Sequence, residues 1–209
     1  MKIILLAVPG AGKTTIIQFV QKLRSHVKHI VYGDVMLEIA QSYKHVRNRD
    51  DLRKLPISHQ KQIQKEAAHN IAAIDGDVII DTHASVKTPV GYWSGLPANI
   101  IQEIGPDLIV LLEFHPEAVV NRRNKDNKIQ RPTKTKSGII ITPRPFRDHE
   151  NREEIELHQD INRHYAIASS HQIGCPLKII DLRFTEEKEF HHTEVASKEI
   201  LLTMDELRE

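Results

Sequence analysis

The chain has 209 residues, 29 of them basic and 28 acidic, and a formal net charge of +1. That balance excludes the standing positive field of a general nucleic-acid or membrane surface. With Cys175 as the single cysteine, no internal disulfide is possible, and a reducing cytoplasm is the expected compartment.

The first predicted element is a strand, Lys2–Leu6. Its apolar run is too short for a signal peptide and passes directly into Ala7-Val8-Pro9-Gly10-Ala11-Gly12-Lys13-Thr14-Thr15. No stretch of the chain approaches the roughly 20 apolar residues of a membrane span. A strand running into a glycine-rich turn that ends in Gly-Lys-Thr has the form of a phosphate-binding loop. Gly10 and Gly12 open conformations closed to other residues, so that successive backbone N–H groups can turn inward around a phosphate. A helix starting near Lys13 adds its positive end. Lys13 supplies a cation for the outer phosphates of a nucleotide, and the Thr14 hydroxyl is a ligand for magnesium. Ala7 stands where the strict pattern has glycine. Behind the loop, Ile16, Val20, Leu23 and Val27 recur at helical steps.

A second strand is predicted at His29–Tyr32 and a third at Asp77–Ile80. The path between them, from Asp34 to Asp75, is too long for one crossover. It holds the charged run Asn48-Arg49-Asp50-Asp51-Leu52-Arg53-Lys54-Leu55-Pro56 and a helix over Ser58–Ile74, with Ile63, Ala67, Ile71 and Ile74 on one face. An arginine in that run could pair bidentately with a second phosphate, although most such runs are solvated helix faces. Asp81, at the end of the third strand, is placed either to hold magnesium or to cap a turn; together with the loop at Ala7–Thr15, the metal role is favoured. Thr82-His83, then Lys87-Thr88-Pro89 and Gly91 to Pro97, form a glycine- and proline-punctuated loop leaving the edge where ligands bind in open α/β sheets. Its hydroxyls, imidazole and aromatic rings suit a base or a phosphate, or simply a structured turn.

The fourth strand is predicted at Leu108–Leu112, with Pro116 as the first residue of the next helix. From Asn121 to Glu150 the chain is polar and basic, including Arg122, Arg123, Lys125, Arg131, Arg144 and Arg147, with a small β element around Ile139-Ile140-Ile141. An arginine-rich segment of this length can neutralise phosphates and exclude water. Asn124-Lys125-Asp126 lacks one residue of the guanine-reading motif and follows a helix, so a GTPase is set aside. A helix near Asn151–Ser170 places Ile155, His158, Ile161, Tyr165 and Ala168 on one stripe; a fifth strand, Leu177–Ile180, and a closing helix, Thr193–Leu207, follow. His191-His192 is expected to be a solvated pair. The alternation predicts one domain over 1–209: a five-stranded parallel sheet of phosphate-loop NTPase type with helices on both faces and inserted segments.

These pieces together resemble the archaeal adenylate kinase family. The resemblance rests on Val8–Thr15, Tyr32-Gly33-Asp34, Asn48–Pro56, Asp81-Thr82-His83, Lys87–Tyr92, Gly95-Leu96-Pro97, Arg122-Arg123 and His158–Arg163. It implies reversible transfer of a phosphoryl group between ATP and AMP, giving two ADP, with magnesium. It further implies that Ala7–Thr15 hold the ATP phosphates, that Thr14 and Asp81 place the metal, and that Asp34, Arg53, Thr82, His83 and Thr88 line the AMP side. Arg122 or Arg123 would lie against the ATP adenine or its phosphates, with Arg147 and Arg163 converging as further catalytic cations beside Lys13. Residues 35–75 become an AMP-binding insertion and 124–150 a lid, and homotrimers are common in the family. The family's Arg-x-Arg-Asp appears here as Pro145-Phe146-Arg147-Asp148, and the lid carries an apparent insertion from about Lys128 to Pro143. Two competing expectations remain: a kinase for UMP or CMP, and a slow ATPase acting as a nucleotide-gated assembly factor.

Overall fold

The computed structural model describes residues 1–43, 46, 49–52, 55–88, 90–128, 131–135, 138–142 and 150–209. In chain order the elements are β1 (Lys2–Leu6), α1 (Lys13–Leu23), β2 (Lys28–Val31), α2 (Tyr32–Ser42), α3 (Arg49–Leu52) and α4 (Ile57–Ala72). There follow β3 (Val78–Thr82), β4 (Ser85–Thr88), β5 (Gly91–Ser94), α5 (Ala98–Ile104), β6 (Leu108–Phe114) and α6 (Pro116–Lys128). The chain closes with β7 (Arg131–Thr135), β8 (Gly138–Thr142), α7 (Arg152–Ile173), β9 (Leu177–Leu182) and α8 (His191–Glu206).

Five strands form one sheet in the order β2-β3-β1-β6-β9, and every pairing within it is parallel. Because side chains alternate across a strand, the central strands of a sheet covered on both faces are apolar at most positions. Ile3, Leu5, Ile79, Val110 and Leu112 enter one core, which α1 closes through Ile16, Ile17 and Val20 and α8 through Ala196, Ile200 and Met204. Ile4, Leu6, Val78, Ile80, Ile109 and Leu111 enter the other, beneath Ala67, Ala68 and Ile71 of α4 and the isoleucines of α5. Each fully buried aliphatic chain contributes about 1.5–3 kcal/mol relative to exposure, so these two layers hold the loop edges rigidly.

Between β2 and β3 the chain builds α2, α3 and α4 around a small core of their own, Ala40, Val46, Leu52 and Ile63. The stretch after β3 is a two-stranded antiparallel hairpin, β4–β5, rather than an open loop. Gly95 follows it where a Cβ would meet the His83 carbonyl oxygen at 2.4 Å, so the hairpin closes on the end of β3 only with glycine there. The expected β element in the basic stretch is the hairpin β7–β8.

Two element ends and one buried face depart from expectation for reasons the packing shows. Helix α1 stops at Leu23, which is exposed, and Val27 joins the core only beyond the helix. Tyr32 opens α2 instead of closing β2, and its hydroxyl donates to the Gln64 carbonyl at 3.1 Å. The buried stripe of α7 is Ile155, His158, Gln159, Asn162, Ala166 and Ser169, so Ala168 points outward. Gln159 lies inside because its amide accepts from Phe114 N and donates to Phe114 O, at 2.8 and 2.9 Å, satisfying the end of β6.

Candidate active site

The loop from Ala7 to Thr15 leaves β1 at the edge where β3 and β6 also end. Gly10 and Gly12 take φ values of 82° and 98°, the left-handed region that side-chain-bearing residues avoid. Gly12 caps α1 without a side-chain hydrogen bond, and no acidic residue occupies the first turn. The helix therefore presents its orphan N–H groups and positive end to the loop, which is the requirement for an anion.

The register Leu5↔Asp81 and Leu6↔Thr82 brings the end of β3 level with the start of the loop. Ile79 faces the α1 side, so two residues on Asp81 faces it too, beneath the first residue of that helix. Lys13 is buried, and its ammonium lies 3.3 Å from Asp81 Oδ1. His29 Nε2 stands 3.6 Å from the other carboxylate oxygen. Burial alone would push the Asp81 carboxyl up, but Lys13, His29 and His83 outweigh it and hold the group down at about 2. His83 Nδ1 donates to the Ala7 carbonyl at 2.8 Å. The Lys13 ammonium lies 3.4 Å from that carbonyl and 3.0 Å from the same nitrogen. Burial first, and the neighbouring ammonium second, press the His83 imidazole down to about 3, so it is neutral near pH 7 and two positive charges are not forced together.

Arg122 and Arg123 approach from α6. Arg122 donates to the Ala11 carbonyl at 2.8 Å, and Arg123 Nε donates to the Pro9 carbonyl at 2.9 Å, so both clamp the loop backbone. The Arg122 guanidinium lies over the Phe114 ring, 4.7 Å from its centroid, and donates to His192 Nδ1 at 2.7 Å. His192 Nε2 donates to the Phe184 carbonyl at 2.8 Å, which fixes the tautomer that lets Nδ1 accept. His192 is thus buried and bonded on both nitrogens, not the solvated residue expected from sequence. Arg163 pairs through Nε with Glu113 Oε1 at 2.7 Å, and Arg183 lies 3.6 Å from the same carboxylate. Glu113 itself is buried at the end of β6. Thr14 is exposed on the first turn of α1, Asp34 is exposed on the first turn of α2, and Thr82 is buried on β3. The Thr88 hydroxyl donates to the Gly91 carbonyl at 2.7 Å inside the β4–β5 turn.

A family model described as an AAA domain matches residues 6–140. The adenylate kinase of Pyrobaculum aerophilum is 43% identical over 203 residues, covering 96% of this chain and 95% of the relative. The adenylate kinase of Methanopyrus kandleri is 39% identical over 182 residues, 86% of this chain and 87% of the relative.

The chain belongs to the archaeal adenylate kinase family.

The family is one of nucleoside monophosphate kinases, phosphotransferases built on the phosphate-loop kinase fold. Shikimate kinase from Bacteroides thetaiotaomicron, at TM-score 0.55 and 17% identity over 98% of both chains, shares that fold. So does the Aquifex aeolicus shikimate kinase, at TM-score 0.51 and 17% identity over 98% of this chain.

For this adenylate kinase the structure brings Lys13, Asp81, His83, Arg122 and Arg123 onto one loop. It holds Arg163 on Glu113. Arg53, Arg144 and Arg147 lie outside the described residues. His29, Glu150, His158 as a contact of Glu150, and His192 were not read as site residues from sequence. Nothing in their local spacing marks them, because their contacts join β2, α7 with the residue before its cap, and α8 to other parts of the chain.

Proposed function

We propose that this adenylate kinase transfers a phosphoryl group reversibly between ATP and AMP, giving two ADP, and that it requires magnesium. The observation that carries the reading is Lys13, set by a left-handed Gly12 at the head of α1 and held at the loop by an ionised Asp81. Phosphoryl transfer asks for alignment and charge neutralisation more than for covalent help, and no side chain is required as a strong base. The ammonium of Lys13 lies 3.4 Å from the loop carbonyl of Ala7 as well as 3.3 Å from Asp81, so its charge is already held at the loop that would receive the phosphates. Arg122 and Arg123 stiffen the loop that receives the phosphates, and by resemblance to the family both are proposed to act on those phosphates as catalytic cations beside Lys13.

A hard divalent cation fits the donors present: the exposed Thr14 hydroxyl and the Asp81 carboxylate, which is held ionised. Among the described residues no group of three or more His, Cys, Asp or Glu is arranged to hold a metal by itself, so such an ion would draw its remaining ligands from phosphate oxygens and water. Bound there, magnesium would neutralise charge shared by the transferring and leaving oxygens.

Asp34, Arg53, Thr82, His83 and Thr88 are proposed for the AMP side, with residues 35–75 as the AMP-binding insertion; the separate small core beneath α2, α3 and α4 supports a distinct lobe. His83 also touches the donor loop at the Ala7 carbonyl, which supports a place for it between the two substrates. Residues 124–150 are proposed as the lid, bringing Arg147 to the phosphates together with Arg163. The enzyme is proposed to act in the cytoplasm, and among the described residues no helix is long and apolar enough to cross a membrane. By resemblance to its family it assembles as a homotrimer; a single-chain mass in light scattering would overturn that assembly.

The test is ADP formation from ATP and magnesium with AMP, CMP, UMP or GMP as separate acceptors. Rapid ADP formation dependent on AMP is expected. Preference for UMP or CMP would move the chain to another monophosphate kinase, and slow ATP loss indifferent to every acceptor would make it a nucleotide-gated switch.

A further inference from the structure

Arg123 is held from two sides. Its Nε donates to the Pro9 carbonyl of the phosphate loop at 2.9 Å, and its NH1 donates to Glu150 Oε2, also at 2.9 Å. The other oxygen of that carboxylate accepts from His158 Nδ1 at 3.0 Å. The second imidazole nitrogen lies 3.4 Å from the Ser85 carbonyl at the head of β4. The Tyr92 ring of the same hairpin meets the imidazole edge-on, with centroids 5.0 Å apart. The three side chains are almost sealed from water, with exposures of 7% for Arg123, 2% for Glu150 and 1% for His158.

A cluster of this kind is a poor device for stability alone, because desolvating the charges offsets most of their attraction, and apolar residues of similar volume often do as well. What it supplies is direction. A guanidinium is planar and rigid, so fixing one edge on a backbone carbonyl and one N–H on a carboxylate sets both its plane and its rotation. The carboxylate is fixed in turn by His158, whose ring is seated on the β4–β5 hairpin. Three separate elements, the loop after β1, the start of α7 and the hairpin after β3, thus converge on the orientation of one arginine.

We infer that Glu150 and His158 are positioning residues for phosphoryl transfer, holding Arg123 in the orientation it presents to the nucleotide phosphates and tying that orientation to the β4–β5 hairpin. The inference rests on the proposal that Arg123 acts on those phosphates, and the experiment separates the two. Turnover and KM for ATP and AMP are measured for Arg123→Ala, Glu150→Gln, His158→Gln and the double variant Arg123→Ala/Glu150→Gln, each well below its own melting midpoint. Glu150→Gln is expected to lower kcat by about tenfold to a hundredfold, the scale set by a small misplacement of a catalytic group. Both KM values should stay within about threefold of the parent, the pattern of an interaction made in the transition state. In the Arg123→Ala background the same substitution should cost nothing further, because the group it positions is gone. Parent-like kcat in Glu150→Gln with only a lowered melting midpoint, or an equal fold-loss in both backgrounds, overturns the positioning role. Where Glu150→Gln fails to fold, His158→Gln, which leaves the Arg123–Glu150 pair in place, decides the matter, and parent-like kcat there overturns it too. Parent-like kcat in Arg123→Ala instead overturns the role of Arg123 itself.

Discussion

Lys13 hangs from the first residue of α1 with its ammonium 3.3 Å from Asp81 and 3.0 Å from His83 Nδ1. The glycines before it are needed for backbone reasons, and the side chains around it keep one positive charge in a buried place. Lys13→Ala is expected to reduce turnover about a thousandfold or more, the scale of losing a preorganised charge at a transferring phosphate. Near-parent turnover in a folded variant would sink the mechanism. Glu150 makes a second prediction at this scale. Burial pushes its carboxyl up, but His158 and then Arg123 outweigh it and leave it below the ordinary value of 4.5. A lowered carboxyl contributes stability that is present above the unfolded value and lost as pH falls through the folded one. The melting midpoint is therefore expected to fall as pH drops below about 4.5, with a shallower fall in Glu150→Gln. Equal slopes in both proteins would remove the carboxylate from that account. The sequence displayed Lys13 openly, because the motif that carries it is written in nine consecutive residues, although its partners Asp81 and His83 come from the end of β3 and the residue just after it. It hid Glu150, whose partners lie 27 and 8 residues away on other elements.

Helix α7 shows what can and cannot be read at the scale of an element. Its start was legible: Asn151 accepts from Glu154 N at 2.8 Å while the Glu154 carboxylate accepts from Asn151 N at 2.9 Å, a complete capping box. Asn151→Ala is expected to lower unfolding free energy by about 1 kcal/mol, measured by urea denaturation, with turnover little changed; no loss of stability would mean water replaces the cap. Its buried face was less legible. Apolar spacing favoured Ile161, Tyr165 and Ala168, whereas the core takes Gln159 and Asn162. Gln159 closes the free end of β6, and the Asn162 carboxamide oxygen accepts from both Ser85 N and Ser85 Oγ at 2.9 and 2.7 Å. Polar residues belong inside when a strand end needs their hydrogen bonds, and no periodicity within one helix reveals that need. The β4–β5 hairpin was hidden for a related reason. Its glycines and prolines read equally as loop or turn, and only the pairing of Val86 with Trp93 and Lys87 with Tyr92 distinguishes them.

At the scale of the whole molecule, the five strands of the main sheet were all visible as apolar runs. The central β3, β1 and β6 are buried almost throughout because both faces are covered, while the edge strands β2 and β9 keep an apolar run around His29, Lys178 and Asp181. The parallel arrangement followed from the helical patterns between them. A molecule whose site joins two ends of such a sheet should be stabilised by what fills the site. Magnesium with ATP, each at about a hundredfold its Kd, is expected to raise unfolding free energy by about 2.7 kcal/mol per bound site. The melting midpoint should rise with nucleotide concentration, and the rise should be lost in Lys13→Ala; an equal rise in that variant would place binding elsewhere. By itself the sequence determined the fold class, the phosphate loop and the family, because each is written in short-range patterns: alternating burial, glycine positions and motifs held in order. Tertiary structure alone decided that Arg122 and Arg123 clamp the loop carbonyls, that Arg163 rests on Glu113, that His192 is buried and that Glu150 and His158 stand behind Arg123. Those contacts join residues as many as 114 positions apart, and which oxygen a given arginine meets depends on sheet order and register, which no local pattern carries.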